Sequence, residues 1–368
     1  MNERASFRAA RRVVIKVGSS LLASEPEALT SAVADEVRDL AARGVACVVV
    51  SSGAIAFGVA DLKLKQRPRT LPGLQAAAAV GQSRLVGEWS RAFAAHRIPV
   101  GQVLLTHDDV RSRGRYLNAR HTLLALVELG VVPIINENDT VSVDEIKFGD
   151  NDRLAALVCS LVEADLLLLL TDVKGLYDGD PSAGGRLITE VRDIDSEAAP
   201  VAGGSISGVG TGGMASKVEA ARIAGRFGVP TVVSSGRRPN PITPIVDGDS
   251  IGTVFWPSLT RLQSRKHWIA YALKPAGVLT VDGGAKEALV ERGRSLLPSG
   301  IAAVSGNFEA GEAVSIRDLE GREFARGLTA YAAEEVARIR GRQSADVETI
   351  LGYRSLDEVV HRDDLVIL

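Results

Sequence analysis

Val13-Val14-Ile15-Lys16-Val17, followed at once by Gly18-Ser19-Ser20, is an apolar run with one charge that stops at small polar residues. Three further runs end the same way. Cys47 to Val50 meets Ser51-Ser52-Gly53, Ile134-Ile135 meets Asn136-Glu137-Asn138-Asp139, and Leu166 to Leu170 meets Thr171-Asp172. A run that is apolar on both faces reads as a strand of a parallel sheet covered by helices on each side. Ligands of such sheets sit beyond the carboxyl ends of the strands, so the four polar caps are expected to converge on one site.

Between the runs, helical patterns alternate with strands from about residue 12 to 256. Ala28 to Arg43 is helical and stops at Gly44; Gly73 to Arg97 is a long Ala-rich helix; residues 114–130 are helical up to Gly130. Leu154, Leu157, Val158 and Leu161 follow i, i+3, i+4, i+7 spacing after Asp150-Asn151-Asp152, and Ala220, Ile223, Ala224 and Phe227 repeat it before a strand from Thr231 to Ser234. Alternation of this kind predicts an α/β fold with a doubly wound, mainly parallel sheet. From about 179 to 212 the pattern dissolves into Gly, Ser and Pro, as a long loop that could serve as a lid would. After Phe255-Trp256-Pro257 come short strands and tight turns, which predict a small β-barrel-like module. The expected boundaries are 8–258 for the α/β domain, 259–276 for a linker and 277–368 for the second domain.

The bulk composition narrows the function. With 368 residues, a net charge of -2 and 24% charged residues, the chain shows no global bias toward nucleic acid or an anionic membrane. Its 2 cysteines, Cys47 and Cys159, are too few for a disulfide framework and favour a reducing cytoplasm. Arg4, Arg8, Arg11 and Arg12 precede an apolar stretch as in an export signal, but Lys16 and Gly18-Ser19-Ser20 interrupt that stretch, so export is not expected. No apolar run approaches a membrane span.

Lys16 is the one charge in an apolar strand. It could guard a sheet edge. Its place just before Gly18, where backbone can approach a ligand closely, suits a phosphate better. Gly208-Val209-Gly210-Thr211-Gly212-Gly213 matches G-x-G-x-x-G, yet no strand precedes it and no acidic residue follows a later strand, so a dinucleotide fold is not indicated. Instead it leads into a helix carrying Lys217 in its first turn. A lysine there opposes the helix dipole unless an anion binds at that end. Asp150-Asn151-Asp152 supplies more polar groups than one helix cap needs. Thr171-Asp172 and Ser52-Gly53 could be a simple turn and a simple cap. The 5 histidines show no metal-ligand spacing, and no nucleophile elbow is present, which leaves a zinc enzyme or a serine hydrolase without support.

Taken together, VVIKVGSSLL, VSSGAIAFG, QAAAAVGQSRL, LNARHTLLALVELGVVPIINENDTV, FGDNDRLAALV, LLLLLTDVKGLY and GVGTGGMASKVEAA resemble the amino acid kinase superfamily, and within it the glutamate 5-kinase family. The segments SLLPSGIAAVSGNFEAGEAVSI and ILGY…VHRDDLVIL resemble the PUA module that many bacterial members carry. Ser216 stands where threonine is commoner, Leu74 where lysine is frequent, and His121 where Asn or Asp is usual. The resemblance implies that Lys16 and Lys217 flank the transferring phosphoryl group with Asp152 holding them. It implies glutamate contacts from Ser52, Gly53, Ala54, Asp139, Asp150 and Asn151. It also implies ATP contacts from Lys16, Gly18, Thr171, Asp172, Thr211, Gly212, Gly213, Met214, Ala215, Ser216 and Lys217, with Mg²⁺ carried by the nucleotide and no protein metal site.

The expected reaction is phosphorylation of the side-chain carboxylate of L-glutamate by ATP, the first step of proline synthesis. That carboxylate is ionised at neutral pH and needs no general base, and Asp139 with its polar neighbours suits a free α-ammonium group. Family membership further implies inhibition by proline overlapping the glutamate site, and a homodimer or homotetramer. Kinases of the same superfamily acting on aspartate, acetylglutamate or a nucleotide are the nearest alternatives. An RNA-directed role is suggested by the C-terminal module, against near-neutral charge and a lack of clustered aromatics.

Overall fold

The computed structural model describes residues 3–111, 113–142, 150–202, 213–259, 263, 266, 269–270 and 273–368. The chain divides into two compact units, Met1–Leu259 and Thr260–Leu368. The first contains strands β1 (Arg12–Val17), β2 (Ala46–Ser51), β3 (Val100–Leu105), β4 (Val132–Glu137), β5 (Leu166–Thr171), β6 (Leu176–Tyr177), β7 (Leu187–Ile188), β8 (Glu190–Val191), β9 (Thr231–Ser235) and β10 (Thr253–Phe255). Eight of them form one sheet in the order β3-β4-β2-β1-β5-β9-β10-β8, while β6 and β7 pair separately. All neighbours in the large sheet are parallel except β9 and β10.

β1 lies inside the sheet, so Lys16 is not an edge guard; Val50 and Leu169 are its neighbours on the flanking strands. The strand's alternation then sets the side on which each residue is buried. Val13, Ile15 and Val17 pack with Leu40 of the helix Pro26–Ala42 and with Trp89 of the helix Leu71–Ala94. Val14 packs on the other face with Leu154 of the helix Asp150–Leu161 and Ala220 of the helix Met214–Arg226. Lys16 shares the face of Val14, so strand periodicity alone aims it at the two helices that carry Asp152 and Lys217. Cys47 and Cys159 are buried in the cores of opposite faces, which keeps the two thiols apart.

The second unit contains β11 (Gly277–Val281), β12 (Ile301–Gly306), β13 (Ala313–Arg317), β14 (Glu323–Leu328) and β15 (Leu365–Ile367), ordered β12-β11-β13-β14-β15. Leu279, Val314, Ile316, Phe308, Tyr331 and Val336 fill its core. β15 and the helix Val347–Leu351 are too short to show a period in the sequence. Within the irregular stretch after residue 179, β7, β8 and the helix Ala199–Ala202 are ordered, and β8 joins β10 at the sheet edge. The lid expected there falls partly on residues 203–212, which lie outside the described residues. Among the described residues, no helix is long and apolar enough to cross a membrane.

Candidate active site

The carboxyl ends of the parallel strands are tied together by the polar caps themselves. Gly18 N donates to Leu170 O (3.2 Å), Ser52 N to Val17 O (3.2 Å), Asn138 N to Leu105 O (2.9 Å) and Gly236 N to Thr171 O (2.8 Å). The caps therefore do meet along one edge of the sheet.

At its centre is Asp152, whose side chain is fully buried. Lys16 Nζ lies 2.6 Å from its Oδ1 and Lys217 Nζ 3.2 Å from its Oδ2. Ser216 Oγ donates to the same Oδ2 at 2.7 Å. Burial alone would push the Asp152 carboxyl up, but the combined pull of Lys16, Lys217 and the Ser216 hydroxyl holds it below the usual carboxylate range. Lys217 is shifted the other way. Burial lowers its pKa, Asp152 opposes that shift, and the nearby charge of Lys16 adds to it. Two buried amines thus share one carboxylate where little water can reach them, with Asp172 a further charge acting on Lys217. A cluster of this kind suits an anionic ligand.

Glycine backbone and an uncapped helix end border the two amines. A Cβ on Gly18 would sit 4.0 Å from Lys16 Nζ and 3.4 Å from Leu170 O. The helix Met214–Arg226 starts at Gly213 with no side chain capping its first amides, so helix-end N–H groups and Lys217 lie on one element. Met214 and Ser216 are half-buried; Gly213 and Ala215 are exposed. Thr171 Oγ1 donates to Asp172 Oδ1 at 3.0 Å, and Asp172 is among the charges felt by Lys217. Thr211 and Gly212 lie outside the described residues.

A second, uncharged cluster adjoins the first through the helix Asp150–Leu161. Asn151 Nδ2 donates to Ser52 Oγ and to Asn136 Oδ1, both at 3.0 Å, and Asn136 Nδ2 donates to Gln82 Oε1 at 2.8 Å. Ser52 is therefore no helix cap. Gly53 holds that position, with φ of 115° and no side-chain cap bond, and a Cβ on it would lie 3.1 Å from Leu22 Cδ2. Ala54 is buried because the helix Ala54–Asp61 crosses Leu71–Ala94 backbone to backbone: a Cβ on Gly81 would fall 1.9 Å from Ala54 O. Asp139 is half-buried, and its charge acts on Arg67. Asp150 opens its helix.

Lys16, Asp152, Ser216 and Lys217 thus come together from three distant segments, and Ser52 meets Asn151. Gln82 escaped sequence reading, as did the bond from Trp89 Nε1 to Ser51 Oγ (2.9 Å) that fixes the end of β2. A usable signal existed: Gln82 falls in line with Ala78, Leu85 and Trp89, a polar residue on the apolar stripe of its helix. Among the described residues there is no group of three or more His, Cys, Asp or Glu able to hold a metal.

The amino acid kinase family matches residues 11–235, and the PUA domain matches residues 277–351. Proteins named glutamate 5-kinase are similar over nearly their whole length. That of Myxococcus xanthus is 54% identical, over 99% of this chain and 98% of its own. That of Trichlorobacter lovleyi is 52% identical over 97% of each, and that of an Azoarcus species 50% identical over 99% of this chain and 100% of its own.

Proposed function

We propose that this chain, which belongs to the amino acid kinase family, transfers the γ-phosphoryl group of ATP to the side-chain carboxylate of L-glutamate. The product is L-glutamyl 5-phosphate, made in the first step of proline synthesis. The observation that carries this reading is the pair of buried lysines, Lys16 and Lys217, brought to one carboxylate from distant segments. The acceptor oxygen is already anionic at pH 7, so the chemistry needs alignment and charge neutralisation rather than proton removal. The carboxylate oxygen attacks the γ-phosphorus as the bond to the β-bridging oxygen breaks, and ADP leaves. Lys16 and Lys217 neutralise the charge spread over the phosphoryl oxygens. Asp152 holds both amines in place, and Ser216 fixes Asp152.

ATP would lie against Gly18, Thr171, Asp172 and the segment 211–217, and Mg²⁺ carried by the nucleotide would help to offset phosphate charge. Ser52, Gly53, Ala54, Asp139, Asp150 and Asn151 would receive glutamate. Asn151 spends one acceptor site of Ser52 Oγ, which leaves that hydroxyl's hydrogen for a substrate carboxylate. Proline is expected to compete for the same cluster. Two buried free thiols suit a cytoplasmic enzyme, and the family expectation is a homodimer or homotetramer. An RNA contact by residues 277–368 is disfavoured, since acidic side chains outnumber basic ones there.

The test is ADP release with Mg-ATP and L-glutamate, with and without proline, beside L-aspartate and N-acetylglutamate. Glutamate-dependent turnover that proline suppresses is expected. Turnover on another acceptor, and none on glutamate, would overturn the substrate assignment.

A further inference from the structure

Each amide in the chain Gln82–Asn136–Asn151 has a defined polarity. Asn136 donates its NH₂ to Gln82 Oε1 and turns its oxygen toward Asn151. Asn151 then uses both NH₂ hydrogens, one on Asn136 and one on Ser52. Its own Oδ1 is left buried and unbonded. A buried carbonyl oxygen without a donor is costly, and a site that tolerates one is waiting for a ligand that donates.

We infer that Gln82 is a positioning residue for substrate selection: through Asn136 it holds Asn151 so that Oδ1 faces the α-ammonium group of the acceptor. The inference rests on glutamate being that acceptor. Gln82 touches no reacting atom. Its role is to prevent a half-turn of Asn136, which would turn Asn151 in its place and present NH₂ to an ammonium ion. Its position supports this role, because it stands on the helix Leu71–Ala94, where close backbone contact at Gly81 locks the adjacent turn against the helix Ala54–Asp61.

Gln82→Met keeps the side chain's length and removes the acceptor; Gln82→Glu keeps an acceptor oxygen. KM and kcat would be measured for glutamate and for glutarate, the same diacid without the ammonium group, with thermal melting as a check of folding. Q82M is expected to raise the glutamate KM about tenfold, the scale of one hydrogen bond to a charged group. It should narrow the preference for glutamate over glutarate by a similar factor, with kcat and the KM for ATP nearly unchanged. Q82E should keep the preference. If Q82M does not fold, Gln82→Leu carries the same expectation. An unchanged preference in Q82M, or equal loss in Q82M and Q82E, would overturn the assignment in favour of packing alone. Absence of wild-type turnover on glutamate would instead overturn the parent reading.

Discussion

Asp152 and Asp318 each bind two cationic side chains at nearly the same distances: Lys16 and Lys217 at 2.6 and 3.2 Å, Lys286 and Arg322 at 2.8 and 3.2 Å. Water separates the two cases. Lys16 and Lys217 are 8% and 6% exposed at the side chain, whereas Lys286 and Arg322 are 36% and 69% exposed. Asp318 also accepts backbone N–H groups from Glu320 and Arg322, so it closes the turn between β13 and β14. Its carboxyl is held far below the usual range, first by the bond from Lys286 and then by those from Arg322. Its cations face solvent and gain little from a further anion. The amines at Asp152 are shielded from solvent, which is why the one cluster is proposed as a site and the other reads as a clasp.

The sharpest way to break this contrast is Asp152→Ala. It leaves two buried amines facing each other, and chemical denaturation should report a loss of about 3–5 kcal/mol. A cost no larger than that of Asp318→Ala would mean that burial is not the distinguishing variable. Lys217→Ala should lower kcat about 10²–10³-fold, the scale of one lost transition-state donor, with the KM for glutamate nearly unchanged. Equal turnover in mutant and wild type would remove Lys217 from the mechanism.

Acid–base behaviour sharpens the comparison further. Because Lys217 is lowered, chiefly by burial, it loses its proton below the ordinary lysine pKa. The kcat/KM should therefore fall as pH rises through that lowered value, and Lys217→Arg should move the alkaline limb upward even as it lowers the maximum. A limb that stays in place in K217R would assign it to another group. Ser216→Ala removes one hydroxyl from Asp152 and should cost about 1 kcal/mol, or roughly fivefold in kcat, while Ser216→Thr should match wild type. Smallest of all, Asp318→Ala should lower the melting temperature slightly, by an amount that shrinks in high salt, and leave kcat within twofold.

Much of this was written locally. Apolar runs ending at Gly18, Ser51, Asn136 and Thr171 mark strands of a parallel sheet. Lys16 near a glycine turn and Lys217 opposing a helix dipole stand out in the sequence, and the fold brings the two to Asp152. Less could be read where a residue acts across the sequence. Arg4 looked like part of a basic leader, yet it is buried and donates to the carbonyls of Ile251 (2.7 Å) and Thr189 (2.5 Å). Glu36, inside an ordinary helix, accepts the N–H groups of Ile242 (3.0 Å) and Thr243 (2.6 Å), and burial raises its pKa. β10 is three residues long and runs antiparallel to β9, too short for any pattern to give its direction.

The sequence by itself determined the strand that presents Lys16, the helix that begins before Lys217 and the period that sends both to one face, because each depends on neighbours only a few residues away. Only tertiary structure decided that Asp152 joins the two amines and that Gln82 sets the orientation of Asn151. Those contacts span 15 to 136 positions of chain, and hydrogen-bond polarity and desolvation exist only once the partners have been brought together and water removed.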